Sequence, residues 1–191
     1  MRRSRRIAPT IDRAGSASTG FTLVELITVI TLVGILSMVA VPRMVGRDSF
    51  GSEEVARSFI GSARLAQQHA LAHTDAAVQL TVARTTDGYD FEIMRTAGGT
   101  PTVLYSLLSE FPKVDLQVAA GALSSSIVVG QTLTLAFTSR SDLNSVSLAG
   151  PPLSSEVSGS VDGGVAVTIN GNTSSLVCVA TSGYAHRGTC L

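Results

Sequence analysis

The chain opens polar, turns almost uniformly apolar, and then alternates. Residues 21–42 read FTLVELITVITLVGILSMVAVP, in which 15 of 22 positions are apolar and Glu25 is the one charge. A helix of that length is about 33 Å long, close to the thickness of a bilayer core. Past Pro42 comes a polar stretch over 46–52. Val55, Phe59, Ala63, Ala66 and Ala70 then recur at spacings of four, four, three and four, which marks one face of an amphipathic helix. Arg57, Arg64 and Gln68 fall on other faces. This helix is expected to end near His73-Thr74-Asp75, and its small residues to pack closely on a sheet.

From residue 76 the pattern becomes that of strands. Residues 78–82 and 89–93 alternate, and Asp87-Gly88 between them reads as a hairpin turn. Further strands are expected over 103–108, 114–118, 131–137, 165–169 and 176–180, with Asn170-Gly171 turning the last two. Residues 142–164, with Pro151-Pro152 and many Ser and Gly, read as a loop-rich connection. The expected fold is α+β: one long N-terminal spine helix, its first half membrane-inserted, then a mostly antiparallel β domain of about seven or eight strands. The expected division is a leader (1–20), a hydrophobic transmembrane and assembly helix (21–45), its amphipathic continuation (46–75) and a β domain (76–191).

Charge adds direction to this picture. The 14 basic and 14 acidic residues balance over the 191-residue chain. The balance hides a leader of +4, with Arg2, Arg3, Arg5, Arg6 and Arg13 against Asp12, and a remainder of −4. Positive charge ahead of an apolar helix places the N-terminus in the cytoplasm. The expectation is therefore a single-pass inner-membrane protein with its β domain in the periplasm. A secretory signal peptide fits less well, because its apolar region is shorter and ends at a small-residue cleavage site. An ordinary signal anchor fits better but leaves Glu25 without a reason. With 45% apolar and 15% charged residues the chain is not disordered. Three His and one Lys leave little for polar catalysis, and no nucleophile elbow or metal-hydrolase pattern is present. No enzyme activity and no cofactor are expected.

Glu25 lies four residues past the start of the apolar run. At the membrane edge it can snorkel. Alternatively, a cut after Gly20 would create an α-amine at Phe21, and a second, axially shifted helix could set its amine against Glu25. At these residues the sequence resembles a known family. Gly20-Phe21-Thr22-Leu23-Val24-Glu25, behind a basic leader and before an apolar helix, is similar to the type IV prepilin signature. The resemblance implies cleavage between Gly20 and Phe21 by a prepilin peptidase, N-methylation of Phe21, and a docking role for Glu25. Gly34 and Pro42 match the family's spacing, which implies a helix segment that kinks or unwinds on assembly.

Within the family, RSFIGSARLAQQHALAH, TLTLAF and SSLVCVATSGYAHRGTC resemble the GspH/FimT group of minor pilins and pseudopilins. PRMVGRDSF and the Arg-Leu-Ala-Gln-Gln stretch look most like the minor pilins of mannose-sensitive haemagglutinin type (MshC). The implied fold is a spine helix under two antiparallel sheets. The implied role is a subunit that enters or initiates a pilus, with other pilin subunits, the prepilin peptidase and the inner membrane as partners. Alternatives are a GspH-like pseudopilin of a type II secretion system and a FimT-like DNA-uptake pilin. DNA is not expected as a partner, since phosphate contacts need a basic surface and the chain after the leader is −4.

The remaining candidates each have a plain alternative. Cys178 and Cys190, in a domain expected to be exported, favour a disulfide. The rival is zinc with His186 as third ligand, but no fourth is apparent nearby. His69 and His73, four apart, can share a helix face and hold a metal, or simply be solvated. Asp90 and Glu92 share a strand face beside Asp87 and can hold a cation, or be solvated charges. Asn172-Thr173-Ser174 matches a glycosylation sequon and equally a hairpin turn. Gly98-Gly99 and Gly163-Gly164 read as turns. A signal-anchored periplasmic enzyme would need a catalytic cluster that the sequence does not display.

Overall fold

The computed structural model describes residues 22–190, without the side chains of 39–49. The leader, Gly20 and Phe21 lie outside the described residues, and so does the side chain of Pro42. The chain divides into two units, one ending at Pro42 and one beginning at Arg43.

Helix α1 (Leu23–Ser49) starts at Thr22, whose Oγ1 accepts the Glu25 N–H at 3.2 Å while its carbonyl accepts the Leu26 N–H at 3.1 Å. Thr22 and Glu25 thus stand at the Ncap and N3 positions of a capping-box sequence. A carboxylate there also faces the positive end of the helix dipole. Helix α2 (Gly51–Ala72) follows after a break at Phe50.

Among the described residues the body holds eleven strands. They are β1 (Ala77–Arg84), β2 (Tyr89–Ala97), β3 (Thr100–Ser109), β4 (Asp115–Ala120), β5 (Leu123–Ser126) and β6 (Thr132–Phe137). After these come β7 (Leu143–Ala149), β8 (Val157–Gly159), β9 (Val165–Asn170), β10 (Ser174–Val179) and β11 (Ala185–Arg187). One sheet has the order β3-β2-β1-β6-β7-β8 and the other β11-β10-β9-β4-β5, and every described pairing is antiparallel. Alternation sets the inner faces: Leu80, Val82, Phe91, Ile93, Leu133 and Leu135 in the first sheet are all buried. Leu116, Val118, Val167, Ile169, Val177 and Val179 are their counterparts in the second. Helix α2 packs on strands of both sheets. Its buried Val55, Phe59, Ala63, Ala66 and Ala70 are the face the sequence period marks, and Phe59 meets Phe91 edge-on at 6.3 Å.

Two expectations are corrected. The single long spine helix under seven or eight strands is replaced by two helices and two antiparallel sheets of six and five strands. At the break Gly51 lies close against the body: a Cβ there would lie 3.0 Å from a Phe111 ring carbon and 3.1 Å from Val114. Gly46, Asp48, Ser49, Gly51 and Ser52 around the break are weak helix formers. The extra strands arise partly inside the expected 142–164 loop, which holds β7 and β8. The second correction concerns the membrane. Among the described residues no helix is long and apolar enough to cross one. The expected single-pass inner-membrane placement, with the β domain in the periplasm, is therefore not supported.

Candidate functional site

Eleven large apolar side chains of α1, from Leu23 to Met38, are exposed, from 47% at Ile27 to 83% at Met38. Helix α2 buries one face; α1 exposes apolar groups on all sides. Its hydroxyls are turned inward. Thr28 Oγ1 donates to the Glu25 carbonyl at 2.8 Å, Thr31 Oγ1 to the Ile27 and Thr28 carbonyls at 2.9 Å, and Ser37 Oγ to the Val33 carbonyl at 2.7 Å. Each donor that would prefer water is thus satisfied by the helix's own backbone. Nothing lies within 4 Å of a Cβ built on Gly34. Over the described side chains, 23–38, α1 is an apolar rod with one exposed carboxylate, Glu25, near its N-terminus. A helix apolar all round requires cover by other apolar surface. The signal for the Thr22 cap is the Thr-x-x-Glu spacing at the head of the apolar run.

A second feature lies on the body, where the C-terminal segment is fastened to α2. Cys178 and Cys190 form a disulfide, with Cα atoms 5.2 Å apart. Both thiols are thereby used, which removes the zinc alternative with His186. Arg64 Nε donates to the Ala185 carbonyl at 2.9 Å, and its Nη2 to the Tyr184 hydroxyl at 3.0 Å, with the guanidinium 4.9 Å from the Tyr184 ring centre. Gln67 donates to the Ser182 carbonyl at 2.9 Å. Arg187 Nη1 donates to Glu53 Oε2 at 3.0 Å, and Ser175 Oγ to the same oxygen at 3.2 Å. The Arg187 hydrogen bond is the largest influence on Glu53 and holds its carboxyl below the ordinary carboxylate range, against a smaller opposing effect of desolvation.

Behind this clasp, Tyr89 ties the β3–β4 loop into the core. Its hydroxyl donates to the Val114 carbonyl at 2.9 Å and accepts the Leu116 N–H at 3.0 Å. Burial pushes the phenol up to about 12, against the lowering effect of Arg84 stacked 4.4 Å from the ring centre. Arg84 also donates to the Pro112 carbonyl. A cavity of about 260 Å³ opens beside this loop, between Gly51, Phe111, Pro112 and Gly171.

The other candidates are dispersed. His69 and His73 stack with ring centres 6.0 Å apart at the end of α2. Asp90 accepts a long bond from Ser106 at 3.4 Å, and Asp87 sits exposed on the β1–β2 turn. Thr173 of the sequon bonds Ser52 at 2.8 Å across the β9–β10 turn. Among the described residues no three His, Cys, Asp or Glu side chains group as a metal site. No family model matches the chain, and no curated protein or solved structure matches it.

Proposed function

We propose that this chain is a filament subunit of the type IV pilin kind, a minor pilin or pseudopilin. A prepilin peptidase cuts it between Gly20 and Phe21, and it joins neighbouring subunits through α1. The observation that carries this reading is α1 itself: apolar on every side over 23–38, with its hydroxyls bonded back to its own backbone. Such a helix is suited to a bundle of like helices, where small residues such as Thr28, Thr31, Gly34 and Ser37 permit close approach. Glu25 is the one charge on that surface. Paired with the amine that cleavage creates on a neighbouring Phe21, it sets the axial register between subunits, because an unpaired carboxylate among apolar helices is costly. The β body, with its own core, is carried by this helix.

The test is cross-linking within α1. Single cysteines introduced as Val29→Cys or Ile35→Cys are expected to form intermolecular disulfides on mild oxidation of the full chain produced with an active prepilin peptidase. Chains that remain monomeric under those conditions contradict the reading.

A further inference from the structure

After the leader the chain carries nine basic residues against thirteen acidic. Three of the nine, Arg57, Arg64 and Arg187, surround one open cleft of about 640 Å³ between α2 and β11, completed by Glu53, Ile60 and Gly61. Arg57, Gly61 and Arg64 stand at positions i, i+4 and i+7 and so share a helix face. Gly61 sits deep inside a 22-residue helix, where only proline is costlier. A Cβ there would meet nothing within 4 Å. No packing constraint asks for a glycine, and its effect is to leave the cleft floor open between two guanidinium groups. Arg64 is already held by Ala185 and Tyr184, so little conformational freedom is lost when it binds an anion. Arg187 is shared with Glu53. Arg57 acts on Glu53 through its charge alone and makes no hydrogen bond or close ion pair among the described residues.

We propose that this cleft receives a carboxylate-bearing turn of a second copy, the β1–β2 turn that carries Asp87. Asp87 is exposed and without a hydrogen bond or ion pair among the described residues, and Asp90 and Glu92 follow it on β2. A guanidinium fork matches a carboxylate with two parallel bonds. A single acidic turn needs only the cleft. An extended polyanion would also meet the rest of a chain that is −4 after its leader, which repels it. Cleft and turn are different patches, so the contact is heterologous and runs head to tail from copy to copy. In that respect it deepens the filament reading and rests on it.

The experiment uses the full chain in detergent micelles, labelled in two colours, with energy transfer reporting association. Transfer is expected to fall as salt rises. Arg57→Glu and Asp87→Arg are each expected to weaken association by about tenfold or more. Mixing the two variants restores it, because the reversed charges meet each other. Gly61→Gln is expected to raise the thermal midpoint while weakening association, a combination that a purely structural role for Gly61 does not produce. Association that ignores salt and both charge reversals belongs to α1; it overturns the cleft and leaves the filament reading standing. Transfer unchanged by Arg57→Glu, together with loss of a salt-sensitive DNA duplex shift in that variant, makes the cleft a polyphosphate site and also overturns the proposal. Failure of the filament reading itself is read separately, from the processed N-terminus.

Discussion

Tyr89 shows how one hydroxyl can hold a loop. It bonds on both sides to β4 and the residue before it, and the ring is fully buried. Tyr89→Phe is expected to lower unfolding free energy by about 1–3 kcal/mol, since the buried Leu116 N–H and Val114 carbonyl lose this partner. The phenol binds its proton more tightly in the folded state, up to about 12 against 10 in the unfolded chain. Stability therefore falls as pH rises from 10 toward 12, and Tyr89→Phe is expected to flatten that alkaline limb in thermal scans. Glu53 gives the opposite sign. Its folded value is depressed by Arg187, so its contribution is present above the ordinary carboxylate range and drains away as pH falls through the lowered value. Arg187→Ala should make the acid limb of the thermal midpoint shallower.

Among the elements, the β10–β11 hairpin depends on Gly183. Its φ is +76°, and a Cβ there would collide with the Ser141 carbonyl. Gly183→Ala is expected to cost about 1–3 kcal/mol in backbone strain, with the steric clash in addition, measured by denaturant titration. Removing the Cys178–Cys190 bridge, which spans 12 positions, should cost about 3 kcal/mol. In α1, Leu32→Lys sets a charge into a helix surface that needs apolar cover, and is expected to abolish cross-linking through Val29→Cys. Much at this scale was legible in the sequence. The α2 face follows its period, and the β1–β2 and β9–β10 turns fall where Asp87-Gly88 and Asn170-Gly171 stand. β7 escaped because a register shift separates its buried Leu143 and Val146 by three positions instead of two. The close approach of Gly51 to Phe111 and Val114 beside the break at Phe50 is not legible, because those residues stand some sixty positions on.

For the whole molecule, the sequence made clear that an apolar helix precedes a β-rich body, but not what that helix would do. Its length in residues suggests a bilayer; among the described residues no helix is long and apolar enough to cross one, while its exposure and inward-turned hydroxyls suit neighbouring helices. The arginine cleft was equally hidden, because Glu53 and Arg187 lie 134 positions apart and only the pairing of β10 with β11 beside α2 brings them together. Both features bear on one claim, that the chain becomes a filament subunit once its leader is removed. The most direct measurement is the intact mass of the full chain's N-terminus after production with and without an active prepilin peptidase. A filament subunit of this kind begins at methylated Phe21 only when the peptidase is present. A chain that keeps residues 1–20 in its presence contradicts that claim.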